Sequence, residues 1–123
     1  MVTPVEVELL AVKIEVPKIT TKEMAIEPVW KEAVEVLRVY VDSLNDRCVS
    51  WYCLSFLFAR EFYKTHLEDI DREQVSDDVW LCIYYCELFL IEIYILFQQA
   101  DLVDPLIKKF TKLVKLHYEK VTS

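Results

Sequence analysis

Residues 77–99 read DDVWLCIYYCELFLIEIYILFQQ, and this stretch decides the fold. Val79, Cys82, Cys86, Phe89, Ile93 and Leu96 recur every three or four residues, the a/d seam of a packed helix. Ser76 stands where an N-cap belongs, and Asp77 and Asp78 suit the positive end of the helix dipole. The spacing predicts a helix over 77–99. Its other faces are apolar as well: Trp80, Ile83, Tyr84, Leu88, Leu90, Ile91, Ile95 and Phe97. A helix apolar all round is buried on every side or lies in a membrane. Residues 79–97 are long enough to be weighed as a span. They contain Glu87 and Glu92, however, and an acid near mid-bilayer costs on the order of 2.5 kcal/mol or more. No belt of basic anchors flanks them. The expectation is a buried helix and no membrane span.

Outward from it, three more helical segments are expected. The first covers about 27–44, with Pro28 in its opening turn. Trp30, Ala33, Val34, Leu37, Val41 and Leu44 form one stripe, while Lys31, Glu32, Glu35, Arg38 and Asp42 face away. Asn45–Asp46 breaks it and offers a cap to the next helix. The second covers about 47–66; residues 49–59, VSWYCLSFLFA, carry no charge at all. An acidic connector, 67–75, leads to the helix at 77–99. The last helix is expected to start at Asp104–Pro105, an N-cap followed by proline at the first helical position. It runs to about Lys120, with Leu106, Phe110, Leu113 and His117 inward.

Residues 5–16, VEVELLAVKIEV, alternate as a strand does: Val5, Val7 and Leu9 on one parity, then Leu10, Val12, Ile14 and Val16 on the other. The switch at Leu9–Leu10 suggests a bulge. A lone strand leaves its backbone groups unpaired, so it pairs with a second copy or packs as a cover on its own domain. The domain reading is an extended arm over 1–20 and a helical bundle over 21–123. The fold class is all-α, about four helices with an extended, β-like N-terminal arm.

Composition agrees. The chain has 123 residues, 54% of them hydrophobic, and no glycine. One core of a single domain suits that length. The absence of glycine excludes the P-loop, the dinucleotide-binding turn, the EF-hand and the G-x-S-x-G elbow, and argues against tight β-hairpins. The net charge of -7 repels nucleic acid and anionic membranes, but it is uneven. Residues 105–123 total +4 and the first 104 residues -11. Lys108, Lys109, Lys112 and Lys115 form a possible basic face on the last helix; its simplest role is to suit the helix dipole and the acidic body beside it. No secretory signal is legible at the start, so the four cysteines are expected as thiols in a cytoplasmic, reducing setting. A glycine-free chain rich in Val, Ile, Glu and Lys also suits a thermophile, or an archaeal or viral accessory protein.

Candidate chemistry is sparse. Cys82 and Cys86 share one helix face. Cys48 and Cys53 do not, and a helical hairpin places Cys48 too far along the axis for all four thiolates to meet on one metal. In that hairpin Cys86 lies opposite about residue 56, so a Cys53–Cys86 bridge competes with both thiols as small core residues. Glu87 and Glu92 are acids inside an apolar helix, for which Arg60 or Arg38 across an interface are the expected partners. No Glu-x-x-His pair stands beside them, so no carboxylate-bridged metal site is read. No metal and no cofactor is expected. Arg60-Glu-Phe-Tyr-Lys-Thr-His66 fits R-x5-H. This resembles the R-x4–6-H motif of the HEPN ribonucleases, all-α proteins that dimerise to build a composite RNA-cleaving site. The resemblance covers seven residues and implies acid–base and electrostatic roles for Arg60 and His66. Glu61 departs from the residues common after that arginine.

The main expectation follows from the surplus apolar surface. It is an oligomeric helical protein acting through protein–protein interaction, without catalysis. Val5, Val7, Leu10, Val12, Ile14, Trp51, Phe58, Trp80, Tyr84, Leu88, Ile91 and Ile95 are the interface candidates, facing a second copy or a different protein. The alternatives are a HEPN-like ribonuclease using Arg60 and His66, and a regulator that binds nucleic acid through the basic last helix.

Overall fold

A computed structural model describes residues 30–46 and 49–122, and the side chains of all but 45–54 among them. The N-terminal arm, with Val5, Val7, Leu10, Val12 and Ile14, lies outside the described residues, as do Cys48 and the side chains of Trp51 and Cys53. Among the described residues there are four α-helices and no strand: α1 (Trp30–Asp42), α2 (Val49–Phe62), α3 (Asp77–Leu96) and α4 (Ala100–Thr122). The all-α bundle is as expected.

α1 buries Ala33, Val34 and Leu37, the predicted stripe, and then tightens into a 3-10 turn over Ser43–Asp46. The serine hydroxyl donates to the carbonyl of Tyr40 at 3.0 Å and closes that end. α2 runs on into a π turn, Tyr63–Leu67, closed by Glu68 N–H donating to the Tyr63 carbonyl at 2.8 Å. That widened turn was not foreseen. The register of the hairpin also differs from the expected one: the Cys86 thiol donates to the carbonyl of Ala59 at 3.4 Å, nearly one turn from the expected level of residue 56.

α3 is the central helix. Ser76 caps it as predicted, its hydroxyl accepting from Val79 N–H at 3.4 Å. Different sectors of α3 serve different neighbours. Cys82 and Phe89 meet α1, the first by a thiol donating to the Trp30 carbonyl at 3.4 Å, the second by ring contact with Tyr40 at 5.7 Å. Cys86 and Tyr94 meet α2. Trp80 and Tyr84 meet α4, through rings stacked on His117 at 4.1 Å and tilted against Phe110 at 5.3 Å. The seam holds from Val79 to Ile93, but Leu96 is exposed. A straight helix drifts against a strict seam by about 20° per heptad, and Leu96, at its far end, stands about 100° around the helix from Val79.

The helix is also the one among the described residues that is long and apolar enough to cross a membrane, by length and composition alone. In this fold half of its apolar window is buried against the other helices.

α3 and α4 are joined by a Schellman closure built without glycine. Gln99 N–H donates to the Tyr94 carbonyl at 2.9 Å and Gln98 N–H to the Ile95 carbonyl at 3.0 Å. Gln98 takes the left-handed position, φ 56°. A side chain there costs on the order of 1 kcal/mol that glycine avoids. Gln98→Gly should therefore raise stability by about 0.5–1 kcal/mol in urea unfolding, and the helix content should not change.

This closure also corrects the expected start of the last helix. The helix begins at Ala100, because the Gln99 carbonyl already accepts from Leu102 and Val103 N–H. Pro105 is thus inside the helix rather than at its first position. Lacking an N–H, it leaves the Asp101 carbonyl without the intrahelical donor of a regular helix.

Candidate interaction surface and buried ion pair

Much of the apolar surface expected at an interface lies inside this one chain. Phe58 and Ile91 are buried in the core, and Trp80 and Tyr84 are partly covered by α4. The physical reason is the central place of α3: α1, α2 and α4 occupy three sectors of it, so a helix without a polar face needs no partner on those sides.

One sector remains open. Leu81, Leu88 and Ile95 recur every seven residues on the side of α3 opposite Cys86 and Leu90. Leu81 and Leu88 are half-buried, and Ile95 is 52% exposed. α4 adds a stripe beside it: Ile107, Val114, Tyr118 and Val121, spaced seven, four and three. Tyr118 is 67% and Val121 69% exposed. The opposite flank of α4 is turned toward α2 and the connector, since Leu102, Pro105 and Lys109 face Tyr63 and Lys64 and the Lys109 carbonyl accepts from Arg72. The stripe therefore faces the same side as Leu81, Leu88 and Ile95. Together they form an apolar face with no helix over it among the described residues. The signal for α4's part was present in the sequence as a seven-residue recurrence. The lysines at 108, 112 and 115 on the adjoining side of the helix mask it.

Those lysines are all exposed. Lys108, Lys112 and Lys115 share the outer side, while Lys109 lines the flank toward α2. The predicted inward residues Leu106, Phe110, Leu113 and His117 do face the core.

The buried polar centre is Glu87, fully enclosed at 0% exposure. Its partner is neither Arg60 nor Arg38 but Arg72, from the connector. The guanidinium forks onto the carboxylate, Nη1 to Oε1 at 2.9 Å and Nη2 to Oε2 at 2.6 Å. Tyr63 adds its hydroxyl to Oε2 at 2.7 Å, and Arg72 Nη2 also donates to that hydroxyl at 3.1 Å. Arg72 Nη1 reaches the Lys109 carbonyl at 3.4 Å, so the network ties the connector to α2, α3 and α4. Burial and the Glu87 carboxylate push the Tyr63 phenol well above its ordinary range. For Arg72, burial works against the charge, and the bonds and field of Glu87 outweigh it. The sequence missed Arg72 because the connector read as a solvated acidic loop. Glu92, expected inside beside Glu87, is exposed.

Arg38 instead pairs with Glu35 on the surface of α1. Arg60 lies over the Phe56 ring at 5.2 Å. His66 sits in the π turn against Phe62 at 5.1 Å and Trp30 at 6.2 Å, and its buried Nε2 has no hydrogen-bond partner among the described residues. The two residues of the R-x5-H motif thus pack against different neighbours.

Cys82 and Cys86 are both free, buried thiols. Though four apart, they donate to different helices. No group of three or more His, Cys, Asp or Glu among the described residues could hold a metal ion. Burial pushes Cys82 up to about 12, with the Asp78 charge adding to it, and burial raises Cys86 well above its ordinary value. Tyr40 is likewise pushed by burial up to about 12. Each group is neutral when folded and ionises more readily when unfolded. The stability they contribute is fully present below about pH 9 and is lost as pH rises toward 12. Urea midpoints measured at pH 7.5 and 10.5 should therefore fall at the higher pH.

No family model, curated protein or solved structure matches this chain, so its reading rests on its own residues.

Proposed function

We propose that this chain is a helical interaction domain that self-associates through the open face of α3 and α4. The observation that carries the reading is the exposed stripe of Ile107, Val114, Tyr118 and Val121 on α4, on the side of Leu88 and Ile95 of α3. Seven-residue spacing on both helices, Leu81–Leu88–Ile95 and Ile107–Val114–Val121, is the pattern by which helices pack on other helices. A two-fold pair would lay each patch on its copy, which suits a surface with one such face. Glu92 and Lys115 bring both charge signs to the neighbourhood of the stripe, so a self-complementary rim is available. The buried free thiols suit a reducing compartment, in keeping with a cytoplasmic protein. The divergent packing of Arg60 and His66 favours binding over RNA cleavage.

Light scattering after size exclusion in reducing buffer tests the reading. The expected mass at tens of micromolar is twice the chain mass of 14.6 kDa. Val114→Glu with Tyr118→Glu, both at exposed positions, should return the mass to that of one chain with unchanged helix content. A wild-type protein that runs as a single chain would overturn the proposal.

A further inference from the structure

A second feature lies on the other flank of α4, away from the apolar stripe. Here the π turn after α2 faces the start of α4 across a groove of about 200 Å³. Two departures from regular helix meet at this place. The π turn brings Tyr63 and Lys64 to one wall, and Pro105 stands in the other. π turns inside helices are frequent at functional sites.

The groove's lining combines apolar and charged side chains. Leu90, Leu102, Pro105 and Leu106 line it together with the ring of Tyr94. Three cations from three separate segments also line it: Arg60 from α2, Lys64 from the π turn and Lys109 from α4. Arg60 is half-buried, and its guanidinium lies over the Phe56 ring at 5.2 Å. Glu68 and Asp101 stand on the lining as well, both exposed, so three cations and two acids line the groove. The volume falls below the ~300–1,000 Å³ of drug-sized sites. It suits a ligand about as large as one aliphatic side chain.

The geometry points to a binding site for a small aliphatic carboxylate, its chain against the leucines and its anionic group among Arg60, Lys64 and Lys109. An apolar ligand without charge would gain the burial alone, and a cationic one would meet three like charges against two acids. A free short-chain acid and a peptide ending in leucine carry the same chemistry, an aliphatic group beside a carboxylate. The site is separate from the face proposed for self-association and does not depend on it.

Titration of the full-length, 15N-labelled protein with hexanoate tests the assignment. Saturable millimolar binding is expected, with amide shifts centred on Leu102, Leu106 and Lys109. Hexylammonium should give none. Lys64→Gln with Lys109→Gln, both at exposed positions, should weaken hexanoate by roughly tenfold, a loss of about one charge-assisted interaction. N-acetyl-leucine binding more tightly than hexanoate marks a peptide C-terminus as the source, and the reverse order marks a free acid. Equal binding of hexanoate and hexylammonium, or no shifts at 20 mM hexanoate, roughly twenty times a millimolar Kd, would overturn the proposal.

Discussion

Arg72→Ala should cost roughly 3–5 kcal/mol of stability, one of the two largest effects expected of a single substitution in this chain. The reason is what it leaves behind. Glu87 is fully enclosed, and both of its carboxylate oxygens accept from the Arg72 guanidinium. Without the arginine only the Tyr63 hydroxyl remains on that carboxylate. A buried charge so exposed to low dielectric is far more costly than the pair was worth. The loss is also structural, because Arg72 is where the connector is fastened to α4 through the Lys109 carbonyl. The control separates the two costs. In Arg72→Met with Glu87→Leu neither charge remains, and stability should return to within about 1–2 kcal/mol of wild type. Urea denaturation followed by far-UV circular dichroism reads both variants. If the single and double variants were equally unstable, the ion pair would not be the source of the loss.

Phe89→Ala should cost about 3–5 kcal/mol by the same measurement. Phe89 is wholly buried between α3 and α1, against the ring of Tyr40. Its removal strips transfer energy and aromatic contact and leaves a void at the centre of the bundle. Glu92, three residues on along the same helix, is exposed, and Glu92→Ala should change stability by no more than about 0.5 kcal/mol. The contrast measures which sectors of α3 the rest of the chain covers. A small loss for Phe89→Ala would mean that α1 and α3 are not packed as described.

A helix such as α3 cannot be read for its neighbours by composition. Nearly every residue from Val79 to Phe97 is apolar, so periodicity identifies a helix but does not say which sector is covered. Of the described interface candidates, Phe58 and Ile91 are interior, Trp80, Tyr84 and Leu88 are half-buried and Ile95 is exposed. The face that remains is carried largely by the α4 stripe of Ile107, Val114, Tyr118 and Val121, which stands among lysines and threonines.

What the sequence by itself determined is local. The helix from Asp77, expected to reach 99 and ending at Leu96, its Ser76 cap, the stripe Ala33–Val34–Leu37, the inward face of the last helix and the all-α class follow from spacing and capping chemistry, which act over a few residues. The tertiary structure alone decided three things. It matched Glu87 to Arg72 across fifteen residues, where spacing holds no information. It placed a left-handed glutamine at 98, where a glycine-free chain offers no turn signal, and so moved the start of the last helix to Ala100. It also widened the end of α2 into a π turn that no residue type announces. Each depends on which surfaces meet in space, and that is set by packing rather than by neighbours along the chain.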